Sequence, residues 1–167
     1  MDQILHQLVD ALKVFGNEFV VTVVAMIPIF ELRGAVPVGL ALGMPWYKTF
    51  IFALIGNIIP MPFILLFIQK IFVVLRRFKF FDKLITRIEN KAKKNIDKVK
   101  KYEFWGLCIF VAIPLPGTGG WTGALIGSIL EMRFRDALAS VVLGILIADI
   151  VVTGTFYGLF NFMKFLF

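Results

Sequence analysis

Histidine and cysteine are almost absent from this sequence of 167 residues, and charged side chains are scarce. The single Cys108 cannot close an internal disulfide bond, and the single His6 excludes a histidine-rich metal site. Charged residues make up 17% of the chain, whereas about 25% is typical of soluble domains. No Ser-His-Asp set, paired-carboxylate site or metal-ligand cluster is recognisable. We therefore expect no enzyme activity, no metal and no cofactor.

Apolar side chains dominate what is present. They make up 59% of the residues, with 19 Phe and a mean hydropathy of +0.88. This composition excludes both an ordinary soluble globule and a disordered chain. A bilayer core of about 30 Å needs about 20 residues per spanning helix, so the chain can form at most about five or six crossings. The sequence predicts an all-α integral membrane protein.

The basic charge is concentrated in one central stretch. The segment from Arg76 to Glu103 carries a net charge of +7, and the rest of the chain is neutral overall. By the positive-inside rule, we expect residues 77–103 to form a cytoplasmic, amphipathic connector. Its expected partner is anionic membrane lipid rather than nucleic acid. Residues 1–18 lack the basic start of a signal peptide and are predicted to form an interfacial amphipathic helix.

Four apolar blocks remain, and two of them are interrupted. Residues 47–75 and 137–163 are long enough to be spanning helices, whereas residues 19–44 and 104–130 contain closely spaced proline and glycine. These residues break helices, and broken backbone is tolerated in a membrane only where protein or water satisfies it. The interrupted blocks are therefore predicted to be re-entrant helical hairpins. Four full crossings remain the alternative topology.

The two halves of the chain are similar. Each of the predicted repeats, 19–76 and 104–167, contains one hairpin followed by one spanning helix. The matched segments are Ile27-Pro28 with Ile113-Pro114, Gly39-x-x-x-Gly43 with Gly123-x-x-x-Gly127, and Tyr47-Lys48 with Phe134-Arg135. A repeat with an odd number of crossings must be followed by one of opposite orientation. The sequence therefore predicts two inverted repeats, as in many secondary transporters, with the site where the repeats meet.

Two longer strings carry a family resemblance. They are PIFELRGAVPVG at residues 28–39 and PLPGTGGWTGA at residues 114–124. The strings resemble the signatures of the family named putative small multidrug export proteins, which is similar, more distantly, to the DedA/VTT superfamily. The resemblance implies a transporter of the prokaryotic cytoplasmic (inner) membrane. From the DedA-like relatives it implies paired re-entrant loops and proton-linked movement of lipid carriers such as undecaprenyl phosphate, with Glu31 and Arg33 near the first hairpin in the acidic and basic roles.

Glu31 and Arg33 are the first candidates for a substrate or coupling site. A charge inside a membrane segment is costly, about 2.5–3.5 kcal/mol for arginine on insertion scales, and is a functional hypothesis by default. Arg33 can bind phosphate or carboxylate through several donors at once, and Gly34 completes the first tip. The alternative is a neutral structural pair that satisfies the hairpin tip.

The second predicted tip consists of Pro116, Gly117, Thr118, Gly119 and Gly120. It has no charge, but it presents backbone amides at the start of a helix, where anions bind. Together with Arg33, this tip favours a negatively charged substrate group. The alternative is a tight turn in which the glycines only let backbones approach one another.

Two further polar residues lie in the spanning segments. Asp149, near the middle of the last apolar block, is a candidate proton carrier or partner for Arg33, or it bonds to a neighbouring helix. Asn57 lies beside Gly56 and ahead of Pro60. It either satisfies backbone groups freed by the prolines or contacts the substrate.

These residues predict a small secondary transporter or lipid-carrier flippase for an anionic or lipid-linked phosphate substrate, with or without protons. Two alternatives stay open. The first is an exporter of cationic drugs, which needs an acidic, aromatic cavity with Glu31 or Asp149 unpaired. The second is a non-transporting membrane scaffold. Because two spanning helices and two hairpins make a thin wall around a cavity, we also expect a homo-oligomer, most simply a dimer.

Overall fold

The computed structural model of the chain describes residues 15–75, 96–115 and 117–166. Within these ranges the backbone is helical with short connections and contains no strand. The helices are α1 Asn17–Met26, α2 Glu31–Ala41, α3 Trp46–Ile58, α4 Pro60–Leu75, α5 Ile96–Ala112, α6 Gly120–Ile129 and α7 Phe134–Leu166. The all-α fold class is therefore confirmed for the described residues. Three predicted features lie wholly or partly outside the described residues. They are most of the predicted interfacial helix 1–18, residues 77–95 of the predicted connector, and Pro116.

The first predicted interruption is present but shorter than expected. Helix α1 ends at Met26, and the carbonyl of Ile27 accepts hydrogen bonds from the amides of Phe30 (3.1 Å) and Glu31 (2.9 Å), so the chain turns before α2 begins. Pro37, in contrast, lies inside α2. A proline removes one helical hydrogen bond without ending the helix when the surrounding packing holds it. Residues 31–34 therefore form a helical turn rather than an irregular tip.

The second interruption covers residues 113–119 and is held together by one side chain. The hydroxyl of Thr118 lies 2.5 and 2.7 Å from the carbonyl oxygens of Ile113 and Leu115, which share its one proton, and it accepts from the amide of Leu115 (3.1 Å). Gly117 and Gly119 have φ angles of 89° and 135°, a conformation that L side chains rarely adopt. The composition of this loop is thus explained by its backbone conformation.

The chain forms two compact units. The first comprises Met1–Ile59 and Leu146–Phe167, and the second comprises Pro60–Ile145. In the described part of the first unit, α1 packs on both α2 and α3, and α2 packs on α3. In the described part of the second unit, α4 and α5 pack on α6. Helix α7 supplies its C-terminal half to the first unit and its N-terminal half to the second.

The same close helix contact occurs once in each unit. A Cβ atom added to Gly56 would overlap the carbonyl oxygen of Thr22 and lie 2.9 Å from Cβ of Ala25. A Cβ atom added to Gly144 would lie 2.7 Å from the carbonyl oxygen of Cys108 and 2.6 Å from Cβ of Val111. In both places a glycine lets one helix rest on the backbone of another, as small residues do in membrane helix packing.

The turns that follow α2 and α6 also share one pattern, which corrects the predicted register. The amide of Met44 donates to the carbonyl of Gly39 (3.0 Å), and the amide of Met132 donates to the carbonyl of Gly127 (3.1 Å). Gly39 therefore corresponds to Gly127, and not to Gly123 as the sequence suggested. The same shift pairs Trp46, rather than Tyr47, with Phe134, because the second interruption is longer than the first.

Among the described residues, two helical stretches are long and apolar enough to cross a membrane. They are Trp46–Phe67, which spans α3 and the start of α4, and Phe134–Met163 within α7. The backbone of Ile59, where α3 and α4 meet, stays in the helical region with φ −49° and ψ −46°. Helix α5 begins at Ile96, so the last part of the predicted connector and the first limb of the predicted second hairpin are one helix.

We expect Gly56→Ala to destabilise the protein, because the new methyl group would meet the backbone of α1. Overpacking of this kind costs about 1–3 kcal/mol. Gly154→Ala is the matched control, since an added Cβ at this helical position has nothing within 4 Å. Thermal unfolding of the detergent-solubilised protein measures both. Equal unfolding temperatures for the two variants would contradict the close contact.

Candidate functional site

The predicted site residues are divided between the two units. Glu31, Arg33, Gly34, Asn57 and Asp149 belong to the first unit. Gly117, Thr118, Gly119 and Gly120 belong to the second, and Pro116 lies outside the described residues. Each group is therefore considered within its own unit.

Glu31 and Arg33 lie in the first turn of α2. Glu31 is 7% exposed and has a φ angle of 45°, which is uncommon for a residue with a side chain. Arg33 is half-buried. Residues two apart on a helix do not face one another, so the helical backbone does not itself direct the two charges to one point.

Gly34 and Gly120 are both required by packing. A Cβ atom on Gly34 would lie 2.7 Å from Cβ of Phe30, inside the turn that begins α2. A Cβ atom on Gly120 would lie 2.8 Å from Cδ1 of Ile145 and 3.0 Å from Sδ of Met61. The start of α6 is thus closely covered by two apolar side chains from α7 and α4.

Asp149 is completely buried in the C-terminal half of α7. Its Oδ1 atom accepts a 2.9 Å hydrogen bond from the hydroxyl of Thr153, one turn along the same helix. Its Oδ2 atom has no hydrogen-bond partner. The hydrogen bond of Asp149 therefore goes to Thr153 and not to Arg33, the partner that the sequence suggested.

Asn57, at 1% exposure, is the second buried polar residue of the first unit with an unpaired oxygen. Its Oδ1 atom has no hydrogen-bond partner. Leaving a buried acceptor unsatisfied costs about 1–3 kcal/mol, and such atoms are uncommon in folded proteins. Asn57 and Asp149 therefore share an unusual property.

A pocket of about 380 Å³ lies in the first unit. Three aromatic residues form much of its wall, and none of its lining residues is charged. The lining consists of Trp46, Phe50, Ile150, Thr153, Gly154, Tyr157, Gly158 and Asn161. Trp46 and Ile150 are 59% and 56% exposed, so the pocket opens at the protein surface. Thr153 connects it to Asp149.

This pocket was not predicted from the sequence. Its one usable signal was the pair Gly154 and Gly158, which lie one turn apart on α7. A Cβ atom added to either glycine has nothing within 4 Å, so the pair leaves space beside the aromatic residues rather than making a close helix contact. In the sequence, such a pair is indistinguishable from a packing motif.

Tyr157 is fixed in the pocket wall by two hydrogen bonds. Its hydroxyl donates to the carbonyl of Met44 (2.9 Å). It lies 2.6 Å from the hydroxyl of Thr49, and since the tyrosine proton is already used, Thr49 donates in this bond. Thr49 is completely buried and Tyr157 is 9% exposed. The aromatic wall is therefore held rigidly by buried polar groups that satisfy one another.

A family comparison identifies the class of protein. The model of the family described as "Putative small multi-drug export protein" matches residues 31–151. This is well over half of the chain. The chain belongs to this family.

The small multidrug export match begins at Glu31, directly after the first interruption, and covers the second interruption, Asn57 and Asp149. It ends before Thr153 and Tyr157, so the aromatic pocket lies partly outside it. No curated protein and no solved structure matches the chain. No comparison links the chain to the DedA superfamily, and that part of the resemblance stays a prediction. The family and the two span-length helices of the described residues together make this a membrane protein.

We expect Tyr157→Phe to lower the stability of this export-family protein. Loss of the hydroxyl leaves the buried Thr49 hydroxyl and the carbonyl of Met44 without this partner, at a cost of about 1–3 kcal/mol. Tyr102→Phe is the matched control, because Tyr102 is 63% exposed. Thermal unfolding in detergent separates the two variants. Unchanged stability of Tyr157→Phe would show that the two bonds contribute nothing.

Proposed function

We propose that the protein is a secondary transporter that exports small lipophilic cations and binds them in the aromatic pocket of the first unit. The arrangement of that pocket is the observation that supports this proposal. Its lining is uncharged and largely aromatic, and Thr153 joins it to the buried carboxyl of Asp149. The family description, multidrug export, agrees with this chemistry.

The size and surface of the pocket suit a drug-sized molecule. Small-molecule sites are typically apolar clefts of about 300–1,000 Å³ with few polar groups. The faces of Trp46, Phe50 and Tyr157 can attract a cation, an interaction of about 0.5–2 kcal/mol depending on desolvation. A pocket with exposed apolar lining is also open to molecules dissolved in the lipid.

Asp149 gives the site its charge preference. A carboxyl group in the middle of a membrane helix is costly and marks a functional position by default. Thr153 holds one of its oxygens, and the other is left to accept from a positively charged donor. No lysine or arginine is among the lining residues, which favours a cation over an anion.

The proposed mechanism is alternating access by two inverted repeats in the prokaryotic cytoplasmic membrane. The repeated contacts at Gly56 and Gly144 and the repeated turns support an internal duplication. If each interrupted helix pair is re-entrant, each repeat crosses the membrane an odd number of times, and the two repeats have opposite orientation. We further propose a cytoplasmic basic connector and a homodimer, since two full spans are few to enclose a path.

A second candidate substrate is an anionic or lipid-linked phosphate. Arg33 supports it, because a half-buried guanidinium in the first turn of α2 provides several donors for phosphate oxygens. The glycines before α6 leave backbone amides at a helix start, which also suit anions. This candidate ranks second because the pocket has no positively charged lining.

Transport of tetraphenylphosphonium in proteoliposomes tests the two candidates. We expect Asp149→Asn to reduce uptake at least tenfold, and Trp46→Ala to raise the concentration needed for half-maximal uptake by a similar factor. Asp136→Asn is the matched control, because Asp136 is an exposed acid on the same helix. Full transport by Asp149→Asn would reject the proposal.

A parallel assay with a lipid-linked phosphate separates the second candidate. Movement of that lipid that requires Arg33, tested with Arg33→Ala, and is unaffected by Asp149→Asn would favour the anionic substrate. Binding of lipid without movement of either compound would favour a scaffold. Both results would count against export of cations.

A further inference from the structure

We propose that Asn57 and Asp149 form a binding site for one monovalent cation, H⁺ or Na⁺, and that only one of the two repeated halves carries such a site. The binding itself is independent of the exported substrate. Its use in coupling rests on the proposed function, because Thr153 contacts Asp149 and also lines the pocket.

Residues in one repeated half of the chain have equivalents in the other half. Gly56 and Gly144 make the same contact with an α1 or α5 backbone. The next residues along the helices are therefore equivalent, so Asn57 corresponds to Ile145. One turn further, Met61 corresponds to Asp149, since both helices continue through these positions.

In the second unit, the corresponding pair of residues is apolar. Met61 and Ile145 come from different helices and both lie about 3 Å from the point where Gly120 would carry a Cβ atom. Both are fully buried. This position at the start of α6 is therefore bordered by two apolar side chains, one from α4 and one from α7.

We expect the same arrangement of two side chains at the start of a helix in the first unit. There the equivalent pair is Asn57 and Asp149, and the residue equivalent to Gly120 is Leu32, at the start of α2. Both polar residues are buried, each with one oxygen lacking a partner. By the repeated packing, they border the start of α2 from two helices, as Met61 and Ile145 border the start of α6.

A hydrogen bond elsewhere in the first unit supports the same pairing. Thr49 on α3 lies 2.6 Å from Tyr157 on α7. In the second unit, the neighbours of a Cβ atom built on Gly127 lie later along α4, but earlier along α7, than the neighbours of one built on Gly120. Helices α4 and α7 are therefore antiparallel there. In the same antiparallel packing, two turns from Thr49 lead to Asn57, and two turns back from Tyr157 lead to Asp149.

The chemistry of the unpaired atoms indicates the occupant. Both are acceptors, a carboxylate oxygen and an amide oxygen, so a bound cation would satisfy both at once. Turning the Asn57 amide would give Asp149 a donor but leave its negative charge buried without compensation, which is costly. A single carboxylate suits one monovalent charge rather than a multivalent metal ion, for which the described residues contain no group of three acidic, histidine or cysteine side chains.

Other titratable groups of the first unit require controls. In its described part they are Glu18 on α1, Glu31 and Arg33 on α2, Tyr47 and Lys48 on α3, and Tyr157 and Lys164 on α7. Lys48 pairs with Glu18 at 2.9 Å, and this hydrogen bond lowers the pKa of Glu18. Glu31 is the buried acid that could titrate in place of Asp149.

A double variant that gives the first unit the two side chains of the second unit tests the proposal. Asn57→Ile combined with Asp149→Met introduces the pair that the second unit already packs. We expect this double variant to stay folded and to lose the cation response. That response is the rise in unfolding temperature of the purified full chain with NaCl relative to choline chloride at constant pH, or with falling pH in choline chloride alone. The first arm detects Na⁺ and the second detects H⁺.

Two control variants and a second test variant accompany the double variant. Ser128→Ala, which alters a buried unpaired hydroxyl of the second unit, and Glu31→Gln should both keep the response. Asp149→Asn is the second variant should the double variant fail to fold, and it should lose the response. A wild-type protein that responds in neither arm, or a response lost in Glu31→Gln and kept in Asp149→Asn, would overturn the proposal.

Binding of tetraphenylphosphonium, followed by tryptophan fluorescence, separates this inference from the proposed function. A cation response that depends on Asp149 without any binding of the lipophilic cation would leave the cation site standing and reject the export proposal. Binding of the lipophilic cation without a response to Na⁺ or H⁺ would do the reverse.

Discussion

Two glycines, Gly56 and Gly144, let the helices of each unit approach one another closely enough to pack through their backbones. Between apolar helices in lipid, side-chain hydrophobicity supplies little association energy, so close packing of backbones must supply it. Each glycine places a span-length helix directly on a neighbouring carbonyl, of Thr22 in one unit and of Cys108 in the other. The positions of the following residues, Asn57 and Ile145, are fixed by these contacts.

The sequence predicted the features that follow from local chemistry. Proline and glycine predicted both interruptions, and continuous apolar runs predicted both span-length helices. The conformation of residues 31–37 was not predictable from composition, because tertiary packing keeps Pro37 inside a helix. The correspondence of Gly39 with Gly127 also depended on hydrogen bonds in a turn, which residue matching alone does not see.

The candidate site was predicted only in part, for a physical reason. Asp149 and Asn57 were identifiable because polar residues are rare in apolar segments. The pocket was not identifiable, because aromatic residues in a membrane protein usually face lipid or fill the core. Trp46 and Tyr157 are far apart in the chain, and the bonds from Tyr157 to Thr49 and to Met44 that form the wall join distant segments.

The two units show that one packing arrangement accepts two chemistries. In the second unit, Met61 and Ile145 fill their position without leaving a polar atom unpaired, so the fold itself does not require Asn57 and Asp149. Each unpaired buried oxygen lowers stability by about 1–3 kcal/mol. In the proposed cation site, a bound cation removes that unfavourable free energy. A less stable empty state with a gain on binding is what the proposed transport function needs if occupancy is to shift the balance between conformations.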